Sequence, residues 1–292
     1  MKDYSVKSFR LPSGEVMAYR ESGEGKTLVL IHGNMSSSVH FQTTIERLED
    51  SYHVIAIDLM GCGDSDYENK RLSLLEHAQD IAELLIGLEI SKASVLGWST
   101  GGGIALELAV LLPETIEKVF LLASVGLQGF KMYHKDPNKM GTLLSSYEDI
   151  ANDPVQVLPV LEAYRTGNKA LLKYICDATL YNLKQPEDQE YNAYLDAILK
   201  QRNLVDIDYA LVHFNMTHES NGVNTPSARM DEIKCPVVLI HGDKDLVVAL
   251  QESIDTQEKL NERAILHIVE GAGHSMVSDD LESLVQIIKQ HI

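Results

Sequence analysis

Cysteine, basic charge and long apolar runs are all scarce in this chain. Its three cysteines, Cys62, Cys176 and Cys235, are odd in number and contain no C-x-x-C pair. That excludes a disulfide framework and a thiolate zinc site, and reads as free thiols in a reducing compartment. No stretch approaches the ~20 apolar residues of a membrane span, and the opening MKDYSVKSFRLPSGE has no apolar run of the kind found in secretory leaders. The expectation is a cytoplasmic protein with no membrane attachment. Lys and Arg number 25 against 43 Asp and Glu, a formal net charge of −18. Such a field repels phosphate backbones and anionic lipid, so nucleic acid and membrane surfaces are excluded in favour of a small neutral or modestly charged molecule.

What is present is enough apolar residue, 45% of 292, to bury a large core with room for an insertion. Short apolar runs at 27–31, 52–58, 93–96, 118–123, 236–240 and 265–269 read as parallel strands buried on both faces. Segments 4–10 and 15–21, around Pro12-Ser13-Gly14, read as a leading antiparallel hairpin, making eight strands. Between them, 73–88 places Leu74, Ala78, Ile81, Ala82 and Leu85 on one helical face behind a capping box of Ser73 and Glu76. A helix after Ser99 stops at Pro113, and a last one spans about 279–290. The expected class is α/β, a mostly parallel eight-stranded sheet covered by helices on both faces.

Residues 124–230 break the alternation. They carry helical patterns, eight of the twelve tyrosines and no convincing strand. Ten Lys and Arg there against thirteen Asp and Glu give −3, so the remainder carries −15. The expected organisation is a core of 1–123 and 231–292 with a helical lid, 124–230, inserted between the sixth and seventh strands.

The strongest chemical signal is Gly97-Trp98-Ser99-Thr100-Gly101, a G-x-S-x-G between a predicted strand and a predicted helix. A serine on so tight a turn sits in strained backbone, and small neighbours let the two arms pass. The new helix also aims N–H groups at developing negative charge. Upstream, Ile31-His32-Gly33-Asn34 ends the third strand, where backbone N–H groups can bind an oxyanion. The natural pair is Thr100 and Asn34, with Met35 the alternative to Asn34.

A base must reach Ser99 from a loop, and His274 in Gly271-Ala-Gly273-His274-Ser275 follows the eighth strand directly. His32 and His241 stand at strand ends and read as makers of structural hydrogen bonds. His213 and His218, five apart, carry a metal reading without any Cys or second His pair to support it. For the acid, Gly242-Asp243-Lys244-Asp245-Leu246-Val247 offers two carboxylates; Asp245 is preferred because Leu246 and Val247 can pack it down, while Asp243 beside Lys244 reads as a turn residue.

In the order His32-Gly33, Asp58-x-x-Gly61-x-Gly63-x-Ser65, the Ser99 turn and Gly273-His274, the sequence resembles the α/β-hydrolase superfamily over essentially its whole length. In that family the second motif is a structural turn, so Cys62 within it reads as a packed small residue. The resemblance implies the chain order Ser99, Asp245, His274 and requires no metal or organic cofactor. Ser99 departs from the epoxide hydrolases and haloalkane dehalogenases, which place aspartate there. The elbow and the His32–Ser36 loop match neither proline iminopeptidases nor meta-cleavage hydrolases. Trp98 resembles elbows of pimeloyl carrier-protein methyl esterases and cofactor-free perhydrolases, and reads equally well as a core aromatic.

The expected activity is hydrolysis of a small carboxylic ester or lactone through an acyl-enzyme on Ser99. A C–C bond hydrolase, thioesterase or amidase would use the same residues, and a low-turnover receptor or a lyase could keep the scaffold. Phe130, Met132, Tyr133, Phe214 and Met216 taken together suggest an apolar contribution of the lid to the pocket, while any one of them reads equally well as packing between lid helices.

Overall fold

A computed structural model describes residues 2–135 and 138–292; Met1, and Asp136 and Pro137 within the expected insertion, lie outside the described residues. The strands are β1 (Lys7–Arg10), β2 (Val16–Ser22), β3 (Lys26–Ile31), β4 (Tyr52–Ile57), β5 (Ala93–Trp98), β6 (Ile116–Leu122), β7 (Val237–Gly242) and β8 (Ala264–Val269). They form one sheet in the order β1-β2-β4-β3-β5-β6-β7-β8. β2 pairs antiparallel with both β1 and β4, and every pairing from β4 to β8 is parallel. The eight expected strands are all present.

Alternation along the strands explains the layers. Val29, Ile31, Val95, Val119, Leu121 and Leu239 belong to one apolar cluster, while Leu28, Leu30, Leu96, Phe120, Leu122 and Ile240 belong to the other. Successive side chains leave opposite faces of a strand, so a continuous apolar run supplies two cores at once. β8 departs from the expectation of burial on both faces: it is the edge of the sheet, and Ile265 and Ile268 are exposed.

The first cluster is covered by α2 (Leu74–Gly87) and α3 (Thr100–Leu111), the second by α1 (Gln42–Leu48) and α11 (Leu281–His291). At α2 the Ser73 hydroxyl accepts from Glu76 N as expected, but the Glu76 carboxylate reaches past Ser73 to accept from Leu72 N at 2.7 Å. α3 stops two residues before Pro113. The expected last helix is α11, which Asp280 caps by accepting from Ser283 N at 3.0 Å, and a short α10 (Met276–Asp279) precedes it. α9 (Leu250–Leu260) lies between β7 and β8 in the chain.

Between β6 and β7 run α4 (Tyr147–Ala151), α5 (Leu158–Thr166), α6 (Lys169–Ala178), α7 (Asp188–Ile198) and α8 (Leu204–His213). This stretch is built into both cores. Ile207, Leu211, Phe214 and Met216 join the α2–α3 side, while Leu172, Tyr181, Tyr191 and Tyr194 join the other. Among the described residues, no helix is long and apolar enough to cross a membrane.

Candidate active site

Ser99 stands at the end of β5 with φ 55° and ψ −118°, a conformation costing a non-glycine residue of order 1–3 kcal/mol. Sequence makes the turn possible: a Cβ on Gly97 would lie 2.1 Å from Gly101 O, so β5 and α3 meet only if position 97 has none. Thr100 opens α3, with its N–H at the helix start. The His32-Gly33-Asn34 loop runs against this turn. A Cβ on Gly33 would sit 2.9 Å from the Ser99 Cβ, so the residue before Asn34 packs directly on Ser99.

Two further loops arrive from β7 and β8. The imidazole of His274 faces Asp245, Nδ1 to Oδ2 2.8 Å, and both side chains are buried. Asp245 Oδ1 accepts from Val247 N at 2.7 Å and Val248 N at 3.0 Å. Burial alone would raise this carboxyl. Hydrogen bonds from His241, His274 and the Val247 amide outweigh it and hold the group well below the usual carboxylate range, ionised. Asp243, the alternative acid, instead accepts from Gly271 N at 2.6 Å and pairs with Lys244, as a turn residue does.

Trp98 fills the core beneath the turn and donates its indole N–H to His274 O at 2.9 Å. The His274 loop is also held by Asp279, which accepts from Gly273 N at 2.8 Å. The structural reading of His32 holds: its Nδ1 faces Gly33 O at 2.8 Å and its Nε2 faces Leu59 N at 3.1 Å. In the turn after β4, Asp58 accepts from Ser38 N and Asp64 N, and the thiol of Cys62 is buried, its pKa pushed up to about 12 by that burial. His213 and His218 part company. The first stacks on Tyr209 at 3.9 Å and the second pairs with Asp231 at 3.0 Å. Among the described residues, no group of three or more His, Cys, Asp or Glu could hold a metal ion.

Ser99, His274, Asn34 and Met35 line one cavity of about 440 Å³. Phe130, Ile175, Leu180 and Val247 give it apolar walls, and Lys135 and Gln156 are polar members of its lining. Of the five apolar residues expected to supply the pocket, only Phe130 does so. Phe214 and Met216 are consumed in the α2–α3 core, Met132 is buried in the other, and Tyr133 is 40% exposed. One wall, Ile175 to Leu180, comes from α6 and the turn after it, whose apolar stripe could not be assigned to a partner from sequence.

Two features escaped the sequence reading. His241 is more than a structural residue of β7: its Nε2 lies 3.2 Å from Asp245 Oδ2, the oxygen that also faces His274, while Nδ1 meets Ser253 Oγ at 2.7 Å. The only trace in sequence is the four-residue spacing to Asp245. The other is a polar cluster from the insertion on Asn34. Asp208 Oδ1 accepts from Asn34 Nδ2 at 2.9 Å, and Gln201 Nε2 donates to Asn34 Oδ1 at 2.7 Å. Burial pushes the Asp208 carboxyl up to about 7, against the pull of that Asn34 hydrogen bond.

Comparison with known proteins agrees with this architecture. A family model described as alpha/beta hydrolase fold matches residues 26–281. Lipase 1 of Psychrobacter immobilis is 25% identical over 293 residues, covering 96% of this chain and 81% of the lipase. The 2-hydroxymuconate semialdehyde hydrolase of Pseudomonas sp. strain CF600 is 25% identical over 279 residues, 87% of this chain and 82% of the other. Among solved structures, an esterase from Exiguobacterium antarcticum superposes with a TM-score of 0.76 at 19% identity, covering 98% of this chain and 99% of the esterase. The chain belongs to the alpha/beta hydrolase fold family.

Proposed function

We propose that the protein is a serine hydrolase that cleaves a small carboxylic ester or lactone through an acyl-enzyme on Ser99. The observation that carries this reading is the ionised Asp245 held 2.8 Å from His274 Nδ1, in an imidazole that shares a cavity with the strained Ser99. Asp245 fixes the tautomer in which His274 Nε2 accepts the Ser99 proton as Oγ attacks the carbonyl carbon. The carbonyl oxygen becomes an anion bound by the N–H groups of Asn34 and Thr100. Met35 is the weaker second donor, because its N–H already reaches Asn34 Oδ1 at 2.9 Å and Gln201 Oε1 at 3.0 Å. His274 returns the proton to the leaving alcohol, and water then deacylates Ser99 by the same route.

In this reading residues 124–230 form a lid, and its α6 side chains supply an apolar acyl or alcohol pocket within the size range of small-ligand sites. The three cysteines are all free and buried, which suits a cytoplasmic enzyme. The likeness to a protein named 2-hydroxymuconate semialdehyde hydrolase favours a second reading, hydrolysis of a C–C bond by the same residues. A fluorophosphonate probe and a p-nitrophenyl ester series of increasing acyl length test the first. One label at Ser99 with turnover of short or medium esters is expected; no label on folded protein, or labelling elsewhere, refutes it.

A further inference from the structure

The insertion does more than wall the pocket. Asn34 is held from both ends of its side-chain amide by residues that follow it by more than 160 positions: Nδ2 donates to Asp208 on α8, and Oδ1 accepts from Gln201 Nε2. Gln201 is 3% exposed and every polar capacity it has is used. Its Nε2 donates to Asn34 Oδ1 and to Asn203 Oδ1 at 3.0 Å, while its Oε1 accepts from Met35 N and from Tyr164 OH at 3.1 Å. Asn203 in turn donates to Met60 O at 2.6 Å, which ties the cluster to the turn after β4. Met35, a residue with a side chain, sits at φ 52° in the left-handed region. A peptide that pays for such a conformation keeps it only where its surroundings over-determine it, and here the Met35 N–H is fixed by two side-chain oxygens.

We propose that Gln201 and Asp208 are positioning residues for the oxyanion-binding loop: they anchor the Asn34 side chain and the Met35 N–H, and so leave the Asn34 N–H facing the reacting carbonyl. The inference rests on the ester-hydrolase reading above. It makes the insertion part of the chemistry as well as of substrate choice, because a preorganised donor is effective only if it is already aimed when charge develops. Only a carbonyl-type oxygen of Asp208 is used by Asn34, so its charge is dispensable and an amide can replace it.

The test compares Gln201→Met, Asp208→Leu, Asp208→Asn and Asn34→Ala in the full chain, with p-nitrophenyl butyrate as substrate and an alkyl trifluoromethyl ketone as inhibitor. The ketone gains a bond from Ser99 Oγ, the hydroxyl proton passes to His274, and the carbonyl electron pair becomes an oxyanion, so its affinity reads the oxyanion site directly. Gln201→Met, Asp208→Leu and Asn34→Ala, the last of which keeps the backbone N–H, should each lower kcat about tenfold or more with KM within about twofold, and weaken the ketone in parallel. Asp208→Asn should restore wild-type behaviour. Asn34→Ala combined with Gln201→Met should lose less than the sum of the two single losses, since both cut the Asn34–Gln201 bond while Gln201 also holds the Met35 N–H from a second side chain.

Folded variants with unchanged kcat and ketone affinity, or losses confined to KM, overturn the proposal. Should a buried substitution fail to fold, Asn34→Ala in the half-buried loop after β3 decides alone: wild-type kcat and ketone affinity refute the tether. If the wild-type protein neither hydrolyses the ester nor labels at Ser99, it is the hydrolase reading that has failed, and the positioning role falls with it.

Discussion

The sheet with its terminal loops and the helical insertion between β6 and β7 use sequence in different ways. In the sheet, chemistry is written in short stretches: Gly97 to Gly101 makes its own turn, and Asp245 is fixed by Val247 and Val248, its near neighbours in the chain. In the insertion the consequential contacts are distant. Gln201 and Asp208 act on Asn34, and α6 faces a cavity whose other wall comes from loops at positions 34, 99 and 274. Local motifs therefore point to the proposed reaction, whereas the contacts proposed to tune and select are assembled only by folding.

Several measurements would break or sharpen that contrast. The largest effects belong to the sheet: Ser99→Ala and His274→Ala should each remove turnover by about four or more orders of magnitude while leaving thermal unfolding intact. Wild-type-like activity in either would detach the chemistry from these loops. Asp245→Asn should lose about 10³ to 10⁴ in kcat through the wrong imidazole tautomer, whereas Asp243→Asn, at a solvated turn, should lose only a few-fold; the reverse ranking would move the acid to Asp243.

Next comes His241→Gln, which removes an imidazole from Asp245 Oδ2. One hydrogen bond to a charged group makes about a tenfold fall in kcat the expected result, and an unchanged kcat would return His241 to a purely structural role. Within the insertion, Ile175→Asn in the cavity wall should raise KM several-fold for longer acyl esters with kcat within about twofold. A loss equal for all acyl lengths would show that α6 does not select.

The smallest effects are in pH-dependent stability, where the two regions have opposite sign. Buried Glu15 sits beneath Arg71 at 2.8 Å; burial would raise its carboxyl, but hydrogen bonds from Arg71, Asn69 and the Glu68 and Asn69 amides lower it from 4.5 to about 2. A carboxyl bound more weakly by protons in the native state stabilises above its unfolded value, so this contribution is lost as pH falls from about 4.5 to about 2. Asp208 runs the other way. Raised from 3.8 to about 7, it holds a proton in the native state that the unfolded chain has released, so stability falls as pH rises through that window. Unfolding by urea across pH should show Glu15→Gln flattening the acid side and Asp208→Asn flattening the interval from about 4 to about 7. Identical pH curves for wild type and either variant would refute the assignment.

Six strands were legible because continuous apolar runs between helical segments admit few arrangements, and β1 and β2 because Pro12-Ser13-Gly14 marks a hairpin turn between them. β8 misled as to burial because an edge strand and a central one share the same composition. At the candidate site, Ser99, His274 and Asp245 were legible from glycine spacing and strand ends. His241 was read halfway, since its hydrogen bonds to Ser253 and Val248 are structural while its contact with Asp245 is not. Phe214 and Met216, open between pocket and packing in the sequence, pack in the α2–α3 core, because apolar character tells that a side chain is buried, not against which neighbour.

Trp98 is the single tryptophan of the chain. Its indole N–H is bonded to His274 O, and its ring centroid lies 5.8 Å from that of His274. Whatever fluorescence the folded protein emits on selective indole excitation therefore originates at the floor of the candidate site. In the proposed mechanism, formation of an acyl-enzyme, charging of the imidazole or entry of an inhibitor would each alter the field at that ring. The chain thus carries a built-in optical reporter, readable in stopped flow without any label, and a Trp98→Phe variant supplies its dark control.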